Sequence, residues 1–554
     1  MRYRLNLMKM RLLTLTCSLL GGCSNAPNQV QLILNGDDFF GRPWPDNNRS
    51  IGGRPDMEGF PKRGQLELID TYMTGIEGLR GFGTNSPIYI PLASRPEQLP
   101  TPTETHTTDG PLWLIDIDPQ SPERGALIPL SCTYQESETE WQRADLLAVQ
   151  PIWGFPLRPR TTYAVILTNE IIAPVDDWDL SEETRRDLNA TLLQRRVDPK
   201  RVAFAFTLTT QDPVGEMARF EERIVHDLHK PALDQRLPRF QNSTMMGAYE
   251  GTMWIPVWQH GEKPYFASGG AFHFDEANMP ILFGWEKILF SLSIPHGDMP
   301  PDGWPVTIYG HGTGGNSRSF ANSNKPLEPA NVLAEAGIAG FGISLPLHGE
   351  RATNIDPALA SFNYLNPDSA RAVFRQGALD QLYLAELLTA RTHSFELPDG
   401  SITKLDSTKV AYMGHSHGGL IGAIAAPFFN NRVRAVFLSG AGGGLSTTIV
   451  TRDAGDFDIQ GLLVSSLDFS SDDELNESHP VVGMVQTLAE VTDPINYAPY
   501  WSQREPFWNG APMSVLMTEG LLDLVGERLD LGAHTHVLPL MMMPARMAPA
   551  WISR

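Results

Sequence analysis

Gly414-His415-Ser416-His417-Gly418 follows directly on the apolar run Val410-Ala411-Tyr412-Met413 and leads into Gly419-Leu420-Ile421-Gly422-Ala423-Ile424-Ala425-Ala426. A strand that turns through G-x-S-x-G into a helix of small residues holds its Ser at the tip of a sharp, strained turn with the hydroxyl exposed. Gly is favoured on both sides because a Cβ would meet the neighbouring strand or helix. The pattern is short enough to arise by chance in 554 residues, and alone it equally describes a glycine-rich turn that contains a Ser. Features upstream decide between the two readings.

Trp304-Pro305-Val306-Thr307-Ile308-Tyr309 reads as a buried strand, and it ends in Gly310-His311-Gly312-Thr313-Gly314-Gly315. A phosphate cradle would require G-x-x-x-x-G-K-[S/T], and no Lys follows here. A second apolar strand, Gly337 to Ser344, runs into the loop Leu345-Pro346-Leu347-His348-Gly349-Glu350-Arg351. Asp368 to Ala390 has helical periodicity, with Ala372, Val373, Leu379, Leu382, Leu384 and Leu387 set among Arg371, Arg375, Asp380 and Glu386. The order strand, glycine loop, helix, strand, helix, strand, Ser turn, helix predicts an α/β fold with a doubly wound, mostly parallel sheet.

In this order the motifs resemble the α/β-hydrolase superfamily of esterase and lipase type over residues 287–525. The resemblance implies that Ser416 is a nucleophile and that the 310–315 loop is an oxyanion loop. The backbone N–H groups of Thr313 and His417 would form the oxyanion hole. Strands 434–440 and 513–517 continue the pattern, and the superfamily places its triad acid after such a strand. Asp523, in Thr518-Glu519-Gly520-Leu521-Leu522-Asp523, is the implied acid. Glu519 is the reserve, and a helix-capping carboxylate is the structural alternative for Asp523. The side chains of His415 and His417 flank the nucleophile on a rigid turn and should point away from the base's approach. Only His534 and His536 follow Asp523. Two readings stand: a shortened connection that presents His536 or His534, with His536 the candidate base, or a base carried by a segment this chain lacks.

Arg2, Arg4, Lys9 and Arg11 precede the apolar stretch Leu12 to Leu20, which is too short to span a membrane, and Leu20-Gly21-Gly22-Cys23 follows. This resembles a bacterial lipoprotein signal. It implies cleavage after residue 22, a lipid anchor on Cys23 and, with Ser24 next, an outer-membrane or cell-surface address. An ordinary secretory signal is the alternative. Of the three Cys, only Cys132 would then remain unmodified, so no internal disulfide is expected. A net charge of −21 argues against nucleic acid and against electrostatic attachment to anionic lipid. No metal-ligand cluster or cofactor motif is evident.

The expected organisation is a signal peptide over 1–22 and a Pro/Gly-rich segment over 23–110. A β module with a following helix takes 111–230, a connection 231–286, and the hydrolase domain 287–554 with a cap inserted at 441–510. Leu157-Arg158-Pro159-Arg160-Thr161-Thr162-Tyr163 resembles the start of a strand in Ig-like modules of bacterial surface proteins, and a Pro-led turn into an ordinary strand reads it equally well. The layout of signal, β module and hydrolase resembles bacterial surface lipoprotein lipases. The apolar stretches 461–467 and 481–485 predict an apolar cap and a hydrophobic ester, against a helical elaboration packed away from the site. The expected function is hydrolysis of a small-molecule or lipid ester. The alternatives are a non-catalytic surface module of the same fold and, less favoured, a peptidase.

Overall fold

The structure is a computed structural model that describes residues 30–34, 38–175, 178–323, 325–352, 354–451, 459–470, 473–501 and 514–518. The Pro/Gly-rich segment carries a helix, α1 (Glu67–Glu77), whose Ile69, Tyr72, Met73 and Ile76 are buried at the spacing of one helix face. Two antiparallel sheets follow. One is ordered β1-β5-β4 and the other β3-β2-β6-β7, where β1 is Ile88–Pro91, β2 Leu112–Asp116, β3 Leu127–Ile128, β4 Leu130–Gln135, β5 Leu146–Pro151, β6 Thr162–Thr168 and β7 Val202–Thr209. Ile90, Leu147 and Val149 of the first sheet share one core with Leu112, Leu114, Val165 and Phe206 of the second, so the two pack face to face.

This sandwich begins at β1, inside the stretch expected to be a Pro/Gly-rich segment. Its strand order also differs from an Ig-like one. There the second strand would sit beside the first, whereas here β2 lies between β3 and β6 in the opposite sheet. The cause is visible in β2, where every residue is buried. Trp113 and Ile115 face away from the sandwich core toward Leu188 and Leu192 of α2 (Glu182–Gln194). A strand apolar on both faces belongs in the middle of a helix-covered sheet.

After a short helix at Gly215–Glu222, begun by Asp212 accepting from the Gly215 N–H at 2.8 Å, the chain enters a nine-stranded mixed sheet. Its strands are β8 (Arg239–Asn242), β9 (Met246–Val257), β10 (Gly284–Pro295), β11 (Trp304–Gly310), β12 (Ala339–Ile343), β13 (His393–Glu396), β14 (Ile402–His415), β15 (Ala435–Ser439) and β16 (Ser514–Thr518). The order is β8-β9-β10-β12-β11-β14-β15-β16, with β13 on β14. β10 runs antiparallel to β9 and β12, while β11, β12, β14, β15 and β16 are parallel. From β9 on, an antiparallel second strand followed by a crossed β12-β11 pair and an outward parallel series is the α/β-hydrolase order. β8 and β9 come from the 231–286 stretch read as a connection. Met246 to Val257 pairs with β10 along its whole length, which draws that stretch into the sheet.

The helix α3 (Pro367–Ala390) is buried along most of its length between this sheet and the rest of the protein. Within it Asp380 meets the Arg351 guanidinium at 2.6 Å, and Arg351 also reaches Glu286 at 3.1 Å and Ser344 O at 2.9 Å. This clamps the 344–351 loop against the edge of the sheet where the Ser turn lies. The insertion between β15 and β16 carries α4 (Ile459–Ser466) and α5 (Pro480–Ala489). Val481, Val482, Val485 and Leu488 of α5 join the α1 side chains in one core. The approach is so close that a Cβ on Gly75 would lie 2.9 Å from Leu488 Cδ1. The second half of the insertion is therefore a packed strut between the N-terminal segment and the hydrolase sheet.

Candidate active site

Ser416 stands between β14 and the helix α6 (His417–Ala425) with φ 51° and ψ −114°, a backbone conformation that L-residues avoid. Its N–H donates to Ser439 O at the end of β15 (2.7 Å), and its carbonyl accepts the Leu420 N–H of α6 (3.0 Å). The flanking glycines are required by contact. A Cβ on Gly414 would lie 2.6 Å from the Gly418 carbonyl carbon, and one on Gly418 would lie 2.8 Å from Gly310 Cα. Strand β11, strand β14 and helix α6 thus meet backbone to backbone, which leaves the half-buried Ser416 at the carboxyl edge of the parallel strands. The backbone here is the sharp, strained strand-to-helix elbow that the sequence pattern predicts.

The glycine loop lies against it. A Cβ on Gly312 would be 3.5 Å from Ser416 Cβ and 3.3 Å from His415 Cδ2. Gly312 is thus the loop residue pressed on the elbow, while Thr313, next along, is exposed. His311 staples three segments together. Its Nε2 accepts the Leu345 N–H at 3.0 Å, so its proton sits on Nδ1 and donates to Gly312 O at 2.7 Å. Its backbone O accepts the Gly418 N–H at 2.9 Å. Burial lowers the His311 pKa to about 3, so this ring stays neutral. The His417 N–H, in the first helical position, has no acceptor among the described residues, nor has the Thr313 N–H.

The His417 ring points into the protein. It stacks on Phe374 at 4.6 Å and lies 4.9 Å from His348, and neither of its nitrogens has a partner. Burial, then the neighbouring imidazoles, hold its pKa well below the ordinary value. His415 is exposed. Phe362, Phe374 and His348, which wall in the elbow, carry no signature in the sequence. A buried His beside the Pro/Gly loop at 345–351 was the one available hint. Asp493, also unanticipated, anchors the chain beyond β15 by accepting the Gly444 N–H (2.9 Å) and the Leu445 N–H (2.8 Å).

Strand β16 pairs with β15 so that Thr518 is level with Ser439, and β15 pairs with β14 so that Ser439 is level with His415. Strand β16 consequently ends at the same edge of the sheet as the elbow. Glu519, Asp523, His534 and His536 lie outside the described residues, as does Cys23. Among the described residues no group of three His, Cys, Asp or Glu side chains could hold a metal ion, and no helix is long and apolar enough to cross a membrane.

No protein-family model and no curated protein matches this chain. Among solved structures, acetyl xylan esterase 1 from Thermoanaerobacterium sp. is 17% identical over 55% of this chain and 78% of its own, with a TM-score of 0.35. An acetyl xylan esterase from Paenibacillus sp. is 14% identical over 57% of this chain and 93% of its own, also with a TM-score of 0.35. A glucuronoyl esterase from Teredinibacter turnerae is 16% identical over 52% of this chain and 61% of its own, with a TM-score of 0.26. Likeness at this level transfers neither activity nor substrate, so the reading of the site rests on its own geometry.

Proposed function

We propose that this chain is a serine carboxylic-ester hydrolase. The observation that carries the reading is Ser416 held at φ 51° on the strand-to-helix turn, with the unpaired His417 N–H beside it and the glycine loop packed against it. Ser416 Oγ attacks the ester carbonyl carbon while its proton passes to the imidazole of His536. Asp523 fixes that ring's tautomer and stabilises its cation. The carbonyl oxygen, now an alkoxide, accepts the N–H groups of His417 and Thr313, and loss of one such donor typically costs about 3 kcal/mol of transition-state stabilisation. Collapse expels the alcohol, which takes the proton back from His536. Water then repeats the sequence on the acyl-enzyme and releases the acid. The register of β16, which brings the chain out at the elbow's edge, supports an acid on the segment that follows it.

The N-terminal signal supports a lipid anchor on Cys23 and an outer-membrane or cell-surface location, where a lipase-type substrate of some hydrophobicity would be met. The test is covalent labelling of the whole protein with a fluorophosphonate. The expected result is labelling of the wild type and none of Ser416→Ala. Equal labelling of the two, or of neither, would refute the reading.

A further inference from the structure

We propose that the recess between α3 and α5 binds a short-chain monocarboxylate, with its carboxylate on Arg371 and its alkyl end among apolar walls. The recess encloses about 30 Å³, space for two or three water-sized groups, and Phe362, Phe374, Leu445, Val485 and Leu488 line it. An alkyl chain of two or three carbons fits this volume, and a fatty acyl chain does not.

Three features of the lining ask for a polar anion at its mouth. Arg371 donates through Nε to Leu488 O at 3.1 Å, and among the described residues no carboxylate lies within salt-bridge distance of it. Its neighbour Arg375 is satisfied by Glu216 at 2.6 Å, whereas Asp368, the other acid near Arg371, is exposed to solvent. The half-buried Arg371 guanidinium thus has no salt-bridge partner among the described residues, and burial, then the neighbouring Arg375, lowers its pKa. The second feature is a pair of hydroxyls in the lining, Ser361 Oγ and Thr492 Oγ1. They are buried, at 0% and 3% exposure, and both lack a hydrogen-bond partner. Buried polar atoms are rarely left so. The third is position. The recess lies beside Pro367, Ala370 and Arg371 in the first two turns of α3, the end of the helix whose dipole favours negative charge.

Arg371 also lines a cleft of about 900 Å³ between α1 and the rest of the protein, which gives the ligand a path from solvent. Phe362 and Phe374 separate the recess from the elbow, since both rings lie against His417. The ligand therefore sits behind the site of chemistry. A short-chain carboxylate is also the acid half of a small ester, and that link alone rests on the esterase reading.

The test is calorimetric titration of the full chain with butyrate, in wild type, Ser416→Ala, Arg371→Met and Ala489→Leu. Butyrate is expected to bind wild type and Ser416→Ala alike. Arg371→Met should weaken it at least tenfold. Ala489→Leu, which fills the recess and leaves the cation in place, should do the same and carries the test if Arg371→Met fails to fold. Octanoate and inorganic phosphate should not bind. Unchanged affinity in Ala489→Leu overturns the proposal, and so does phosphate binding as well as butyrate, which would mark an anion hole without an alkyl pocket. Loss of binding in Ser416→Ala also overturns it, because the ligand would then sit at the elbow. None of these outcomes touches fluorophosphonate labelling, which reports on the esterase reading separately.

Discussion

Replacing Gly418 by Ala tests whether the elbow is held by backbone contact. A Cβ there would lie 2.8 Å from Gly310 Cα and nearer still to the Gly310 carbonyl. Carbon atoms rest at about 3.5–4.0 Å, so α6 must retreat from β11 by roughly 1 Å. The Gly418 N–H to His311 O bond, now 2.9 Å, would then stretch beyond hydrogen-bond range and strand two buried groups. Overpacking costs about 1–3 kcal/mol and the broken bond about 1–3 more, which gives roughly 2–6 kcal/mol together. Because Ser416 is two residues away, the same shift misplaces its hydroxyl, and a 1 Å error costs about 100-fold in rate. The assay pairs urea denaturation with the rate of fluorophosphonate labelling. Gly284→Ala is the control, since nothing lies within 4 Å of a Cβ placed there. If Gly418→Ala unfolds at the control's urea midpoint and labels at the wild-type rate, the account of the elbow is wrong.

Ser416→Gly should raise stability by about 1 kcal/mol in the same denaturation assay, because Gly tolerates φ 51° whereas Ser416→Ala keeps the strained Cβ. Equal midpoints for the Gly and Ala variants would deny the strain. His417→Met should keep the fold and the fluorophosphonate labelling, since the ring is walled off with both nitrogens unpaired and only the backbone N–H faces the reaction. Loss of labelling in a folded variant would place the ring in the chemistry. Glu490 is buried and its pKa is pushed up to about 7 from 4.5. The folded state therefore holds its proton more tightly than the unfolded chain. Its contribution to stability is full below about pH 4.5 and is lost as pH rises to about 7. Denaturation curves across this window should show wild type losing stability relative to Glu490→Gln, and parallel pH profiles would refute the assignment.

The α/β half was legible because its signals are local. G-x-S-x-G and the 310–315 loop state their own backbone requirements, and strands such as Val306 to Tyr309 are apolar runs bounded by glycine. The periodicity of 368–390 likewise identified α3. What could not be read was partnership. Met246 to Val257 has no local mark saying that it pairs with β10. The surroundings of the His417 ring come from Phe362, Phe374 and His348, on segments 43–69 residues distant, and only the folded chain brings them together. The insertion shows the same limit. Its apolar runs do not say what they will cover, and part of the answer is the packing of α5 against α1.

That packing makes the N-terminal region part of the site's support. Glu490 and Asp493 are three residues apart at the end of the insertion and hold different bodies. Glu490 accepts the N–H groups of Thr84 (2.6 Å) and Asn85 (2.7 Å) and the Gln211 amide (2.9 Å), all from the N-terminal half. Asp493 holds Gly444 and Leu445, a few residues beyond Ser439, whose carbonyl receives the Ser416 N–H. A Cβ on Gly444 would lie 3.1 Å from the Trp153 ring of the sandwich, and one on Gly419 would lie 3.0 Å from Ala441 Cβ. A displacement of the sandwich is thus transmitted through one short segment to the chain that anchors the elbow. Without the N-terminal region, Val481, Val482, Met484, Val485 and Leu488 would lose their covering core. At about 1.5–3 kcal/mol for each such side chain, the loss rivals the whole stability of an ordinary domain, roughly 5–15 kcal/mol. The parallel sheet and the sandwich therefore stand or fall as one unit, and the geometry at Ser416 depends on contacts made by residues as distant as Thr84.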